Sequence, residues 1–251
     1  QGGCEALCLF NGVEPVCRCP HGKLINGTQC QSFDSFIAYS SVKAIETLHL
    51  DGDNPNAPNK AIEDEDHLRY VVALTYDYTG QRYFFSDILR GDIQSVGFKG
   101  NDDFKLIVKS VGSAEGLAYD PYFDDLYWTS YTNSSISRIS VNIHQDNARP
   151  TKIIQLGPED KPRAIALHVC SSRMFWTNWN AGSASIMSSY MNGNELKAII
   201  TTRIQTPNGL TIDHSAQMLY WSDARDDKIE RCNFDGTDRV VIVSHSAHHI
   251  F

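Results

Sequence analysis

The stretch DLYWTS, residues 125–130, has three relatives in the same chain: RYFFSD ending at Asp87, RMFWTN ending at Asn178 and MLYWSD ending at Asp223. Each places an aromatic pair before Ser or Thr and closes on Asp or a small polar residue. The first members of the pairs, Phe84, Tyr127, Phe175 and Tyr220, stand 43, 48 and 45 residues apart. Self-similarity on that period marks units that bury a core only by packing on one another.

Working outward from residues 125–130, EGLAYD (115–120) is apolar enough for a strand buried on both faces. The turn PYFDD leads into LYWTS, rich in aromatic and β-branched residues. SISRISV then alternates polar with apolar, and TKIIQL supplies a fourth strand. The unit from Asn208 repeats the order as NGLTID, QMLYWSD, DKIERCNF and RVVIVS. Its Asp235-Gly236 pair is a hairpin signal, because glycine accepts a positive φ. Four short strands, buried first and wetter later, form one blade of a propeller. Tyr127, Trp128, Phe175, Trp176, Tyr220 and Trp221 are therefore expected as core or inter-blade packing. The Ser, Thr and Asp residues behind them are expected to satisfy backbone groups.

At 251 residues, 41% of them hydrophobic, the chain can bury a sizeable core. A net charge of -8 argues against nucleic acid and suits cationic protein ligands. No apolar run approaches the ~20 residues of a membrane span, so membrane attachment is expected through other segments. Five of seven cysteines crowd into the first thirty residues, which reads as a small disulfide module in an oxidising compartment. A zinc site is disfavoured because Cys17 and Cys19 lack a matching second pair. NGT at Asn26 and NSS at Asn133 have the form of glycosylation acceptors.

GGCEALCLFNGVEPVCRCPHGKLINGTQC resembles the last five cysteines of an EGF-like module. That resemblance implies bonds Cys4–Cys17 and Cys19–Cys30 and leaves the partner of Cys8 before Gln1. It also places any calcium-binding acidic segment outside this stretch, and no cofactor is expected within it. The aromatic repeats, together with EGLAYD, PRAIAL and PNGLTID, resemble the YWTD repeats of low-density lipoprotein receptor relatives. The fold implied is all-β: an EGF-like module over 1–32, truncated at its N-terminus, then a six-bladed YWTD propeller over 33–251. About five blades are expected here, the sixth lying outside the stretch. The earliest unit, FIAYSSVKAIETLHLDG, aligns its IAYS with the aromatic strand but has lost the aromatic pair. Ser130 and Asn178 replace the motif's Asp, which predicts two blades tied less firmly.

Neither a G-x-S-x-G elbow nor an H-E-x-x-H helix occurs, so no enzyme activity is expected. Aligning the first strands puts Val72, Glu115, Arg163 and Asn208 at equivalent positions, a poor cage for a divalent cation. The resemblance implies that Arg163 and Asn208 contact a ligand's polar atoms. Tyr131 and Trp179, just after their motifs, would serve as flat anchors. Glu115 would complete the set, or would simply pair with Arg163. His168 stands where the other copies have Asp77, Asp120 and Asp213, and with His214 it is the candidate pH sensor for acid-dependent release. Cys170 and Cys232 are expected either as a disulfide or as two buried thiols. The implied role is an ectodomain segment of a single-pass endocytic receptor, at the cell surface and in endosomes. Its partners would be extracellular protein ligands such as lipoproteins and protease–inhibitor complexes. The alternative is a matrix-adhesion module of the nidogen kind.

Overall fold

The computed structural model describes residues 7–10, 14–18, 24–25, 27–30, 36–50, 59–98, 100, 103–142 and 148–244. The chain divides into two compact units, Gln1–Ser110 and Val111–Phe251. In the first, β1 (Leu7–Phe10) pairs antiparallel with β2 (Pro15–Arg18), and β3 (Leu24–Ile25) with β4 (Gln29–Cys30). Cys17, on β2, is disulfide-bonded. Cys4, Cys19 and Asn26 lie outside the described residues, and the side chains of Cys8 and Cys30 do as well.

The same unit carries two larger sheets. β5 (Phe36–Ser40), β6 (Ala44–His49) and β7 (Ile62–Glu63) form a three-stranded sheet in chain order. β8 (Val71–Asp77), β9 (Arg82–Asp87), β10 (Asp92–Gly97) and β11 (Lys105–Lys109) form a four-stranded antiparallel one. Ile45, Ile62 and Leu68 pack with Val71, Tyr83, Phe85 and Val96 as one core. Among the described residues the smaller sheet has no counterpart of β8, in keeping with an aromatic-strand position for β5.

The second unit repeats the four-stranded pattern three times. Its sheets are β12 (Ala114–Asp120), β13 (Asp125–Ser130), β14 (Ser135–Ser140) and β15 (Thr151–Gln155); β16 (Lys161–His168), β17 (Arg173–Trp179), β18 (Ser185–Tyr190) and β19 (Lys197–Ile200); and β20 (Pro207–Asp213), β21 (Met218–Asp223), β22 (Lys228–Asn233) and β23 (Val240–Ser244). Each is a meander of the kind that makes a propeller blade.

Side-chain alternation along a strand explains why the motif needs two aromatics in succession. On β17, Trp176 packs towards the β12–β15 blade with Tyr127, Ile136 and Ile154, whereas Phe175 packs towards the β20–β23 blade with Leu219 and Trp221. Phe175, Trp176 and Trp221 are at most 1% exposed, so burial of each contributes about 1.5–3 kcal/mol or more. Glycine in the outer hairpins allows the blades to close. A Cβ on Gly193, at φ 89°, would stand 2.8 Å from the Ile153 carbonyl oxygen, and one on Gly236, at φ 88°, 2.4 Å from that of Ile199.

The expected Cys170–Cys232 disulfide is not formed. Cys232 is 0% exposed within the Phe175–Trp221 core, while Cys170 is exposed on a 3-10 turn (Val169–Ser171). The turn faces solvent and β22 buries its cysteine inward, so the two sulfurs point into different environments. Burial pushes the Cys232 thiol up to about 11.

Candidate ligand-binding face

The blades' first strands each break register at one point: between Ala114 and Gly116 on β12, Pro162 and Ile165 on β16, Pro207 and Leu210 on β20. Glu115, Arg163 and Asn208 occupy those bulges. A bulge leaves its extra residue outside the ladder and re-aims its side chain, which is why bulges gather at functional sites. The equivalent residue of the first unit, Val72, sits in the matching irregularity between Val71 and Leu74.

The motif's hydroxyls fix these bulges from the neighbouring blade. Thr129 on β13 donates to the Arg163 carbonyl at 2.5 Å, and Thr177 on β17 donates to that of Asn208 at 3.1 Å. Gly116 leaves room for the approach, since a Cβ there would lie 2.2 Å from the Arg163 oxygen.

Arg163 is the hub. Its Nε stands 2.8 Å from Glu115 Oε2, and its guanidinium carbon lies 3.9 Å from the centre of the Trp179 ring. Tyr131 meets Trp179 edge-to-face with centroids 6.5 Å apart. The Trp179 indole N–H donates to the Pro207 carbonyl at 2.7 Å, tying the platform to the strand that bears Asn208. Glu115 is steadied by Ser113, whose hydroxyl donates to Oε1 at 3.0 Å. Burial pulls the Arg163 guanidinium below its ordinary range, opposed by the charge of Glu115 and then by Tyr131. A cation stacked on an indole and paired with a carboxylate presents both charge and flat apolar surface. That combination suits an extended protein segment.

Glu115, Tyr131, Arg163 and Trp179 are thus joined by direct contacts, Glu115 pairing with Arg163, while Asn208, 5% exposed, stands on the strand to which Trp179 is tied. Lys161 is an addition. Its Nζ lies 5.7 Å from the Tyr131 ring centre and donates to the Pro158 carbonyl at 2.6 Å and to Ser134 Oγ at 3.3 Å. The signal that places it is its register partner on β17, Trp179, which only strand pairing reveals.

The two histidines are brought together, at the opposite ends of β16 and β20. Their rings stack at 5.5 Å, and His168 also meets Phe234 edge-on at 4.9 Å. His168 is 4% exposed and its Nδ1 lies 2.6 Å from Ser171 Oγ. The aligned Asp120 and Asp213 instead accept backbone N–H groups of their turns, from Tyr122 at 2.8 Å and from Ser215 at 2.9 Å. Burial and then the charge of His214 hold His168 below the usual histidine range. Burial also lowers His214, against the pull of Asp213. Five strand residues, about 17 Å at the usual rise, separate His168 from Arg163.

The sequence profile of the low-density lipoprotein receptor repeat class B matches residues 172–214. That span runs from just before β17 to just past the end of β20. Over 178 residues it is 29% identical to protein cueball of Drosophila grimshawi, covering 69% of this chain and 29% of that protein's length. Among solved structures it is similar to a chain of a nidogen–laminin complex, with a TM-score of 0.73 and 23% identity over 85% of this chain and 79% of the other. It is also similar to virginiamycin B lyase from Staphylococcus aureus, with a TM-score of 0.60 and 18% identity over 84% and 67%. The fold is the YWTD-type propeller. Binding proteins and a lyase share it, so function has to be read from the site.

Proposed function

We propose that the end of the second unit bearing Glu115, Tyr131, Arg163, Trp179, Asn208 and Lys161 binds extracellular protein ligands. The chain would act as a non-enzymatic ectodomain segment of an endocytic receptor of the alpha-2-macroglobulin receptor kind. The observation that carries this is Arg163, held between Glu115 at 2.8 Å and the Trp179 ring at 3.9 Å. The array is assembled before any ligand arrives, so little ordering accompanies binding.

Lipoproteins and protease–inhibitor complexes are the analytes to pass over the immobilised chain. Trp179→Ala is expected to weaken capture by about 2 kcal/mol, roughly thirtyfold, and Arg163→Lys to weaken it less, since a lysine loses the stacking. Capture unchanged in both variants would exclude this face. Acid release is the finer part of the reading. Protonation would act through the β16–β20 seam, where Asp213 ends β20 and His214 follows it in the turn, Arg173 opposes His168 on β17 and Asp120 ends β12. The charged imidazoles would repel across that seam.

The likeness to a nidogen–laminin chain favours a second reading, adhesion to a matrix partner. Capture lost between about pH 7.4 and 5.5, where histidine takes its proton, speaks for the receptor. Capture of laminin that ignores pH speaks for adhesion.

A further inference from the structure

We infer that Asn133 carries an N-linked glycan, and that this glycan walls the Tyr131 side of the face so that ligands reach Arg163 from the Trp179 side. The second half rests on the ligand-binding reading; the first does not. Asn133-Ser134-Ser135 is one of two Asn-x-Ser/Thr triplets in the chain, and such triplets accept glycans in secreted proteins. It occupies the β13–β14 turn, at the same end of the blade as Glu115. Asn133 is exposed there, while Ser134 and Ser135 are 4% and 3% exposed. The acceptor therefore faces solvent in the finished fold, and the serines the transferring enzyme must read are accessible only before the blade closes.

Neighbouring contacts make this a workable position. Asn133 Nδ2 donates to the Val111 carbonyl at 3.2 Å. In transfer, that nitrogen bonds to the anomeric carbon of a lipid-diphosphate oligosaccharide. The carbon's bond to the diphosphate oxygen breaks with its electron pair, and one amide proton leaves to the enzyme's base. One N–H remains, enough to keep the bond to Val111. Tyr131 is two residues away, and Ser134 Oγ lies 3.3 Å from Lys161 Nζ. A sugar chain rooted at Asn133 thus rises beside the lysine and tyrosine edge of the face. The equivalent turns of the next two blades, residues 180–184 and 224–227, have no such triplet. The wall is one-sided.

The chain secreted from animal cells is digested with peptide N-glycosidase in heavy-oxygen water, which labels each formerly glycosylated asparagine. Label at residue 133, lost in Ser135→Ala, is the expected result; an unlabelled Asn133 in the secreted chain overturns the assignment. Acylation of Lys161 is then followed by peptide mass spectrometry with a small reagent and with a polymer-linked one. Removing the glycan, by enzyme or by Asn133→Gln, is expected to speed the polymer-linked reaction severalfold and leave the small reagent unaffected. An unchanged polymer-linked rate overturns the wall. Neither readout uses a ligand, so failure of either is distinguishable from failure of the binding reading.

Discussion

The β20–β23 blade and the β12–β15 blade close their motif strands by opposite chemistry. Asp223, 1% exposed, accepts four backbone N–H groups: Gln205 at 2.7 Å and Thr206 at 3.0 Å from the incoming linker, Arg225 at 3.1 Å and Asp226 at 3.3 Å from its own turn. In the first unit Asp87 repeats this with Arg69, Tyr70, Leu89 and Arg90. Ser130 instead donates, to the Val111 carbonyl at 2.7 Å, and Asn133 supports it. The linker has turned over to present an oxygen, and Gly112 at φ 71° makes that possible: a Cβ there would lie 2.1 Å from Thr132 Oγ1. The β16–β19 blade finds a third arrangement. Its carboxylate has moved to the linker, where Asp160 accepts from Asn178 at 2.7 Å and Asn180 at 3.1 Å. The expectation of looser blades at Ser130 and Asn178 thus meets a finer finding: when the motif loses its carboxylate, the linker is rebuilt to suit.

The largest test removes the shared acceptor. Asp223→Ala takes the buried carboxylate from four part-buried backbone N–H groups at about 1 kcal/mol each, so urea unfolding should show a loss of about 4 kcal/mol. Gly112→Ala comes next. It forces a Cβ into the turned-over linker at a positive φ and is expected to lower stability by about 2–3 kcal/mol. An unchanged midpoint would mean the linker can turn back.

Restoring the motif should then do harm. Ser130→Asp aims a carboxylate at the Val111 oxygen and is expected to lose about 2 kcal/mol, against about 1 kcal/mol for Ser130→Ala. Asn178→Asp likewise sets a second carboxylate against Asp160 and should lower the midpoint further than Asn178→Ala does. Stabilisation by either aspartate would show that the blades obey one rule after all.

The smallest effect lies at the other end of the strands. His168 is held neutral by burial and by His214. Unfolding frees it to charge, so its contribution is complete above about pH 6.5 and falls away as pH drops from there towards the depressed value. Replacing His168 with asparagine should flatten that part of the stability curve; a slope unchanged from the parent chain would remove His168 as its source.

Much of the fold could be read from spacing. The 43-to-48-residue recurrence and the paired aromatics predicted blades whose large rings pack on both flanks, and Phe175 and Trp176 do so. Glu115, Arg163 and Asn208 were reachable by alignment because the repeat puts them at one position of each first strand. The disulfide expected between Cys170 and Cys232 failed because neighbouring units in sequence say nothing about which way a side chain points. Lys161 escaped notice because its place follows from pairing with Trp179.

Periodic aromatic and β-branched residues, acting through local strand geometry and burial, were enough to specify the blades and their number in this stretch. Which side chains meet is a matter of register, bulges and linker direction. Arg163 found its carboxylate and its indole, the two histidines found each other, and the three motif strands of the second unit took three closures only when sheets packed face against face. Those contacts join residues tens of positions apart, and no local pattern encodes a distance of that kind.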